Sequence, residues 1–312
     1  MNLQEKVIAH KYFQLKIYQK DGYDFQNFFT SIMNKYDSEF TTIKTQGNIG
    51  DRKNDGYIPS KGIYFQVYAP EKIDAKEAME KIENDLDGLM NYWDKLCKVK
   101  EYNFVMNDKY KGAYPTINAK ILEVGKKYNI KTNLLLASQL ENICFQLKDE
   151  EIVEILGNII DVPMENLSFT SLNDVIEGIM KLPFKANESL ISPAEMNEKI
   201  KFNNLNQEVS NILNQHSIYT GQLEEYFFNK GDFEREKVQQ VLTGIYEEAK
   251  KQIEDNANDA NSIRFFYIVD KITPEKPNIS IMNAIYILMS YYFEACDIFL
   301  NPNNNVNAKK AY

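Results

Sequence analysis

Residues 47–71 read GNIGDRKNDGYIPSKGIYFQVYAPE. Gly47, Gly50 and Gly56 lie among Asp51 and Asp55, a glycine-rich acidic loop. Gly62 then turns the chain into Ile63 to Tyr68, where β-branched and aromatic residues predict a strand. Side chains alternate with period two, so Ile63, Phe65 and Val67 share one face and Tyr64, Gln66 and Tyr68 the other. An aspartate at the loop's end therefore precedes an amide and a phenol that project together.

Outward from this stretch, helical and strand patterns alternate, the mark of an α/β domain. Asp24 is placed to cap a helix carrying Phe25, Phe28, Phe29, Ile32 and Met33 at three- and four-residue steps. A short strand is expected over Phe40 to Lys44. After the central strand comes a long helix from about Ala75 to Cys97. Its stripe is Ile82, Leu86, Leu89, Met90, Trp93 and Leu96, with acidic residues assigned to the opposite side. Strand Tyr102 to Asn107, a helix after Pro115, strand Thr132 to Ser138 and a helix through Leu147 follow.

Between about Gly157 and Glu198 the periodicity falters, with Pro163, Pro183 and Pro193 between short apolar pieces. Beyond that the patterns are helical: Leu205 to Leu213, Leu223 to Phe228, Phe233 to about Asp255, and an apolar Ile279 to Leu300. The expected division is an α/β domain over 1–160, a linker region over 161–194 and an all-α domain over 195–312. The asparagine-rich tail from Asn301 is expected to fray.

Across 312 residues, 44% hydrophobic and 26% charged composition predicts packed cores. No membrane span is expected, because Asn283, Glu294 and Asp297 interrupt the most apolar stretch. Met1 to Lys20 lacks the apolar run of a secretory signal. Cys97, Cys144 and Cys296 match neither a zinc spacing nor an even disulfide framework, which suits a reducing cytoplasm. His10 and His216, the two histidines, fall in different halves, which argues against a histidine triad or zinc site. No G-x-x-x-x-G-K-[ST] is present, so ATP binding through a P-loop is not expected. The net charge of -9 is unevenly spread. Residues 1–150 hold 22 Lys plus Arg against 21 Asp plus Glu, and residues 151–312 hold 14 against 24. A near-neutral first half is compatible with a local basic groove, whereas the acidic second half suits a protein partner. Such a partner surface predicts an apolar patch rimmed by charge on the last or next-to-last helix.

The 47–71 segment resembles the Mrr-like branch of the PD-(D/E)XK nuclease superfamily, in which a glycine-rich loop ending in a catalytic aspartate precedes a strand bearing Gln-x-Lys. The resemblance puts Asp55 at the Asp position and Gln66 at the Gln position, with Tyr68 where the lysine is expected. Gln26, in Asp24-Phe25-Gln26, stands where the preceding helix often supplies a further acid. What the resemblance implies is an α/β restriction-endonuclease-like N-terminal domain followed by an all-α C-terminal domain. Its site would comprise Asp55, Gln66, Tyr68 and Gln26, with Asp55 and Gln66 as ligands of Mg²⁺ if the site is catalytic. Tyrosine brings no ammonium charge, so the preferred expectation is DNA recognition on a degenerate nuclease scaffold. The alternative is a metal-dependent DNA endonuclease effector with a variant D-QxY site, in which Lys53, Lys61 or Lys72 takes over the lysine's role.

Taken with FVMNDK at 104–109 and EACDIF at 294–299, the GDRKNDG and YFQVYAPE motifs look like the C-terminal-domain component of prokaryotic ABC-ATPase three-component conflict systems. That resemblance implies a cytoplasmic setting in defence against phage or other invasive DNA. It also implies an ABC-type ATPase and a further system component as partners, and leaves room for a homo-oligomer.

Overall fold

The computed structural model describes residues 1–44, 52–157, 167–183, 195–295 and 298–303. Gly47, Gly50, Asp51, Pro163, Pro193, Cys296 and Asp297, and the tail from 304 onward, lie outside the described residues. The chain forms two compact units, one of residues 16–157 and the other of residues 1–15 with 158–312. This division differs from the expected one, because the first fifteen residues belong with the C-terminal helices.

The α/β unit begins within helix α1 (Leu3–Gln19) and continues through α2 (Gly22–Tyr36) into a five-stranded mixed sheet. The strands β1 (Thr41–Thr42), β2 (Gly56–Ile58), β3 (Ile63–Tyr68), β4 (Glu101–Met106) and β5 (Lys131–Leu135) lie side by side in chain order. β1, β2 and β3 pair antiparallel, while β3, β4 and β5 pair parallel. Parallel neighbours need a crossover, and two helices supply it: α3 (Ala75–Tyr92) between β3 and β4, and α4 (Pro115–Tyr128) between β4 and β5. The Asp74 carboxylate caps α3 by accepting from the N–H groups of Lys76 and Glu77. α4 opens on Pro115, whose missing N–H costs nothing in a first turn.

Both sheet faces are covered. Tyr64, Tyr102, Phe104 and Met106 pack under Ile82, Leu86 and Leu89 of α3 and Ile117, Ile121 and Val124 of α4. On the other face Phe65 meets Phe29 of α2 at 5.6 Å and Phe40 at 5.7 Å between ring centroids. Gly56 is required there, because a Cβ would stand 2.3 Å from the Phe40 ring. Helices α5 (Ala137–Cys144) and α6 (Asp149–Leu156) pack on α2. Asp21, not Asp24, is the N-cap residue of α2, and its carboxylate pairs with Lys109 at 2.9 Å. The first strand is two residues long where five were expected.

The second unit is helical: α7 (Phe169–Met180), α8 (Met196–Phe202), α9 (Gln207–His216), α10 (Thr220–Lys230), α11 (Asp232–Gln252), α12 (Ala260–Ile272) and α13 (Ile279–Glu294). α13 is its centre. Every residue from Met282 to Phe293 is buried, and α7, α9 and α10 pack around it. α12 lies against α11, and Tyr12 of α1 meets Phe266 of α12 at 5.5 Å. Lys11 closes the same region on Asp259 at 2.6 Å. α7 falls inside the stretch expected to be linker, yet buries Leu172, Val175, Ile176 and Ile179 in this unit. The apolar residues of α12 and α13 are largely core, whereas the exposed aromatics Phe228 and Phe233 sit on α10 and on α11, the helix read from the sequence as next-to-last. No helix among the described residues is long and apolar enough to cross a membrane.

Candidate functional site

Asp55 enters the sheet one residue ahead of β2, and the backbone fixes it from both sides. Its N–H donates to Phe65 O at 3.1 Å, and its carbonyl accepts from Ile43 N–H at 3.2 Å. The side chain is 4% exposed and faces two donors. Oδ1 accepts from Gln26 Nε2 at 2.7 Å, and Oδ2 accepts from the Val67 N–H at 2.6 Å. Two of the sequence-derived residues, Asp55 and Gln26, are thus brought into direct contact, across α2 and the strand edge.

Gln66 is also buried, and its Oε1 has no hydrogen-bond partner among the described residues. Tyr68, at the end of β3, lays its ring on Phe104 at 5.6 Å. Burial first, and then the nearby Glu77 and Asp74 carboxylates, raise its phenol above the usual tyrosine range. The phenol therefore stays neutral at physiological pH and offers one hydrogen bond where the nuclease pattern has an ammonium group.

A second group of residues under α3 escaped the sequence. Asp85 is 1% exposed and lies on the sheet-facing side of α3, within the stripe of Ile82, Leu86 and Leu89. The assignment of the helix's acidic residues to its outer side fails at this position. Burial of the charge is tolerated because two cations meet it: Lys53 Nζ at 2.8 Å from Oδ1 and Lys81 Nζ at 2.6 Å from Oδ2. Tyr102 feels the charge of both acidic positions. Its phenol is pushed well above the ordinary value by burial and then by the charges of Asp85 and Asp55. Asn54 is fully buried and its side-chain amide has no partner among the described residues. The signal for this group was Lys81 and Asp85 at i, i+4 on a helix whose apolar stripe runs through the latter. Of the lysines proposed to replace position 68, Lys53 is held by Asp85, Lys61 pairs with Asp37 at 2.6 Å, and Lys72 is exposed.

Mg²⁺ takes near-octahedral oxygen ligands, with one or two carboxylates from the protein. Here Asp55 has both oxygens engaged by N–H donors, Asp85 is neutralised by two lysines, and the helix offers Gln26 in place of an acid. No group of three His, Cys, Asp or Glu side chains converges among the described residues. This donor set does not fit Mg²⁺.

Comparison with curated proteins and with solved structures returns no match. Residues 170–300, which span α7 to α13, match the family model of C-terminal domain 10 of the ABC-three component (ABC-3C) systems.

Proposed function

We propose that the chain is an ABC-three component system member whose α/β unit is a degenerate restriction-endonuclease-like module that recognises DNA without cutting it. In this reading the helical unit couples recognition to an ABC-type ATPase. The observation that carries the first part is the state of Asp55. Its two oxygens accept from Gln26 and Val67, so the carboxylate serves the fold of the strand edge. Phosphodiester hydrolysis of the nuclease type needs a metal-bound water and a cation to stabilise charge building on phosphate. Tyr68 supplies no cation, and loss of one such contact costs on the order of a hundredfold to a thousandfold in rate. The likeness of residues 170–300 to an ABC-3C C-terminal domain supports the second part.

The deciding assay incubates plasmid and linear DNA with the full chain and Mg²⁺ or Mn²⁺, beside Asp55→Ala and Tyr68→Phe. The expected result is salt-dependent binding with no metal-dependent cleavage. Asp55→Ala should leave DNA affinity within about threefold, since the residue brings no positive charge to phosphate. Robust cleavage abolished by Asp55→Ala would establish the endonuclease alternative instead.

A further inference from the structure

The helical unit carries a face, built by α7, α10 and the start of α11, that is uncovered among the described residues. α10 ends at Gly231, whose φ of +104° turns the chain directly into α11. On the two sides of that turn stand Phe228, 89% exposed, and Phe233, 71% exposed. Beside them is a hollow of about 380 Å³ whose lining includes Phe169, Asn173, Asp174, Glu225 and Tyr226. The rings of Phe169 and Tyr226 stack in its wall at 6.2 Å and 16°. Glu177 and Glu234 line the adjoining hollow on the far side of Tyr226. Glu225 is shared with a third hollow, which also takes in Glu224, Phe228 and Asp232.

Two observations define what this face can accept. First, Asp174, Glu177, Glu225 and Glu234 form no ion pair among the described residues, unlike Glu83, Asp85, Asp87 and Glu101 of the α/β unit. One Glu234 oxygen is buried without a hydrogen-bond partner. Secondly, two of the basic residues nearby are drawn onto rings, Lys230 over Tyr226 at 5.8 Å and Arg235 over Tyr291 at 5.4 Å, while Lys181 lines the second hollow with Glu177. Burial first, and then the Glu234 and Glu177 carboxylates, raise the Tyr226 phenol to about 12. Carboxylates beside stacked aromatic rings suit a guanidinium, which can pair in-plane with the former and stack on the latter. Exposed phenylalanines alongside suit the apolar side of the same segment.

From this complementarity we infer that the α7, α10 and α11 face seats a basic amphipathic segment of a partner chain, with arginines in the acidic aromatic hollows and apolar side chains on Phe228 and Phe233. The inference deepens the coupling role proposed above and rests on that reading for the partner's place in the system.

The probe is a synthetic amphipathic peptide of leucine and arginine, with the same peptide carrying glutamate for arginine as its control. Both are titrated by calorimetry into the full chain, into a Phe228→Ala, Phe233→Ala variant, and into an Asp174→Asn, Glu225→Gln, Glu234→Gln variant. Unchanged thermal unfolding verifies that both variants are folded. The arginine peptide should bind the wild type and lose at least tenfold in affinity for each variant, and the glutamate peptide should not bind. Equal binding to all three proteins, or no binding to the wild type, overturns the inference. So does a dimer of the wild type that the phenylalanine variant dissolves in sedimentation, since a second copy would then own the face. A purified ABC-type ATPase of the proposed system separates the two levels. If it binds wild type and variants alike, coupling stands and this surface is wrong. If it does not bind while the arginine peptide still selects this face, the surface stands and the coupling role falls.

Discussion

Protonation of His216 would put a charge inside the helical unit with nothing to receive it. Nδ1 lies 2.8 Å from Ile212 O, so the neutral ring keeps its proton there and donates it to that carbonyl. Nε2 is buried without a hydrogen-bond partner among the described residues, and the ring's edge meets Tyr286 at 5.3 Å. Burial lowers the folded-state pKa below the usual histidine value, and the Ile212 bond offsets only part of that. The unfolded chain therefore binds more protons than the folded one as pH falls from about 6.5, and stability drops in that direction. Thermal unfolding followed between pH 7.5 and pH 5 should show a falling midpoint for the wild type and a flatter profile for His216→Phe. An unchanged slope in the variant would show that carboxylates, not this ring, govern acid sensitivity.

At the scale of elements, α3 is where stability and function part. Asp85 is buried, but its partners are not: the Lys53 side chain is 49% exposed and Lys81 is half-buried. Both ammonium groups can return to water if the carboxylate goes, whereas the carboxylate's own desolvation is recovered in full. Asp85→Leu, placed between Ile82 and Leu86, should thus be neutral or stabilise by up to about 2 kcal/mol in denaturant melts. A loss above about 3 kcal/mol would mean that the lysines cannot be resolvated and that the trio is structural. Legibility of the elements followed the same physics. β3 and β4 emerged with bounds within a residue of those found, and the start of α4 at Pro115, because Pro115 and the period-two pattern mark them locally. α12 went unread: it is buried on nearly all sides, so Ser262 to Val269 carries no polar stripe to set a period. β2 is three residues long, too short for alternation to register, and is held by its pairing with β1 and β3. Asp55, Gln66 and Tyr68 were nominated as site residues from their order along the chain, and the structure buries Asp55 and Gln66 beside the strand edge. That Gln26 would bond Asp55 rather than stand in a metal shell depends on the distance between α2 and the strand edge, which sequence does not encode.

For the whole molecule, redrawing the units redraws the charge. Residues 16–157 hold 20 Lys plus Arg against 22 Asp plus Glu, while the remainder holds 16 against 23. Neither unit is basic, and in the α/β unit Lys35, Lys53, Lys61, Lys81, Lys98, Lys109, Lys120, Lys127 and Lys131 are each committed to a carboxylate. Eleven of the unit's twenty basic residues stand outside these nine pairs, within a net charge of -2, so no concentrated basic surface is expected. The logarithm of the DNA association constant should fall against the logarithm of salt concentration with a slope no steeper than about -6, short of the value near -10 of a strongly basic binder. Anisotropy titrations at several salt concentrations measure it, and a slope near -10 would overturn this expectation.

The ion pair of Lys11 with Asp259 joins positions 248 apart, and everything in the α/β unit lies between them. Contact order consequently differs sharply between the units. Each strand of the sheet pairs with the strand next in sequence, so that structure can assemble progressively as the chain leaves the ribosome. The helical body closes later, once α12 has been made and can meet the residues synthesised first. Until that moment Tyr12 and Lys11 wait without their partners, and a chain stalled before residue 259 presents a folded insert flanked by an apolar helix with nothing to cover it.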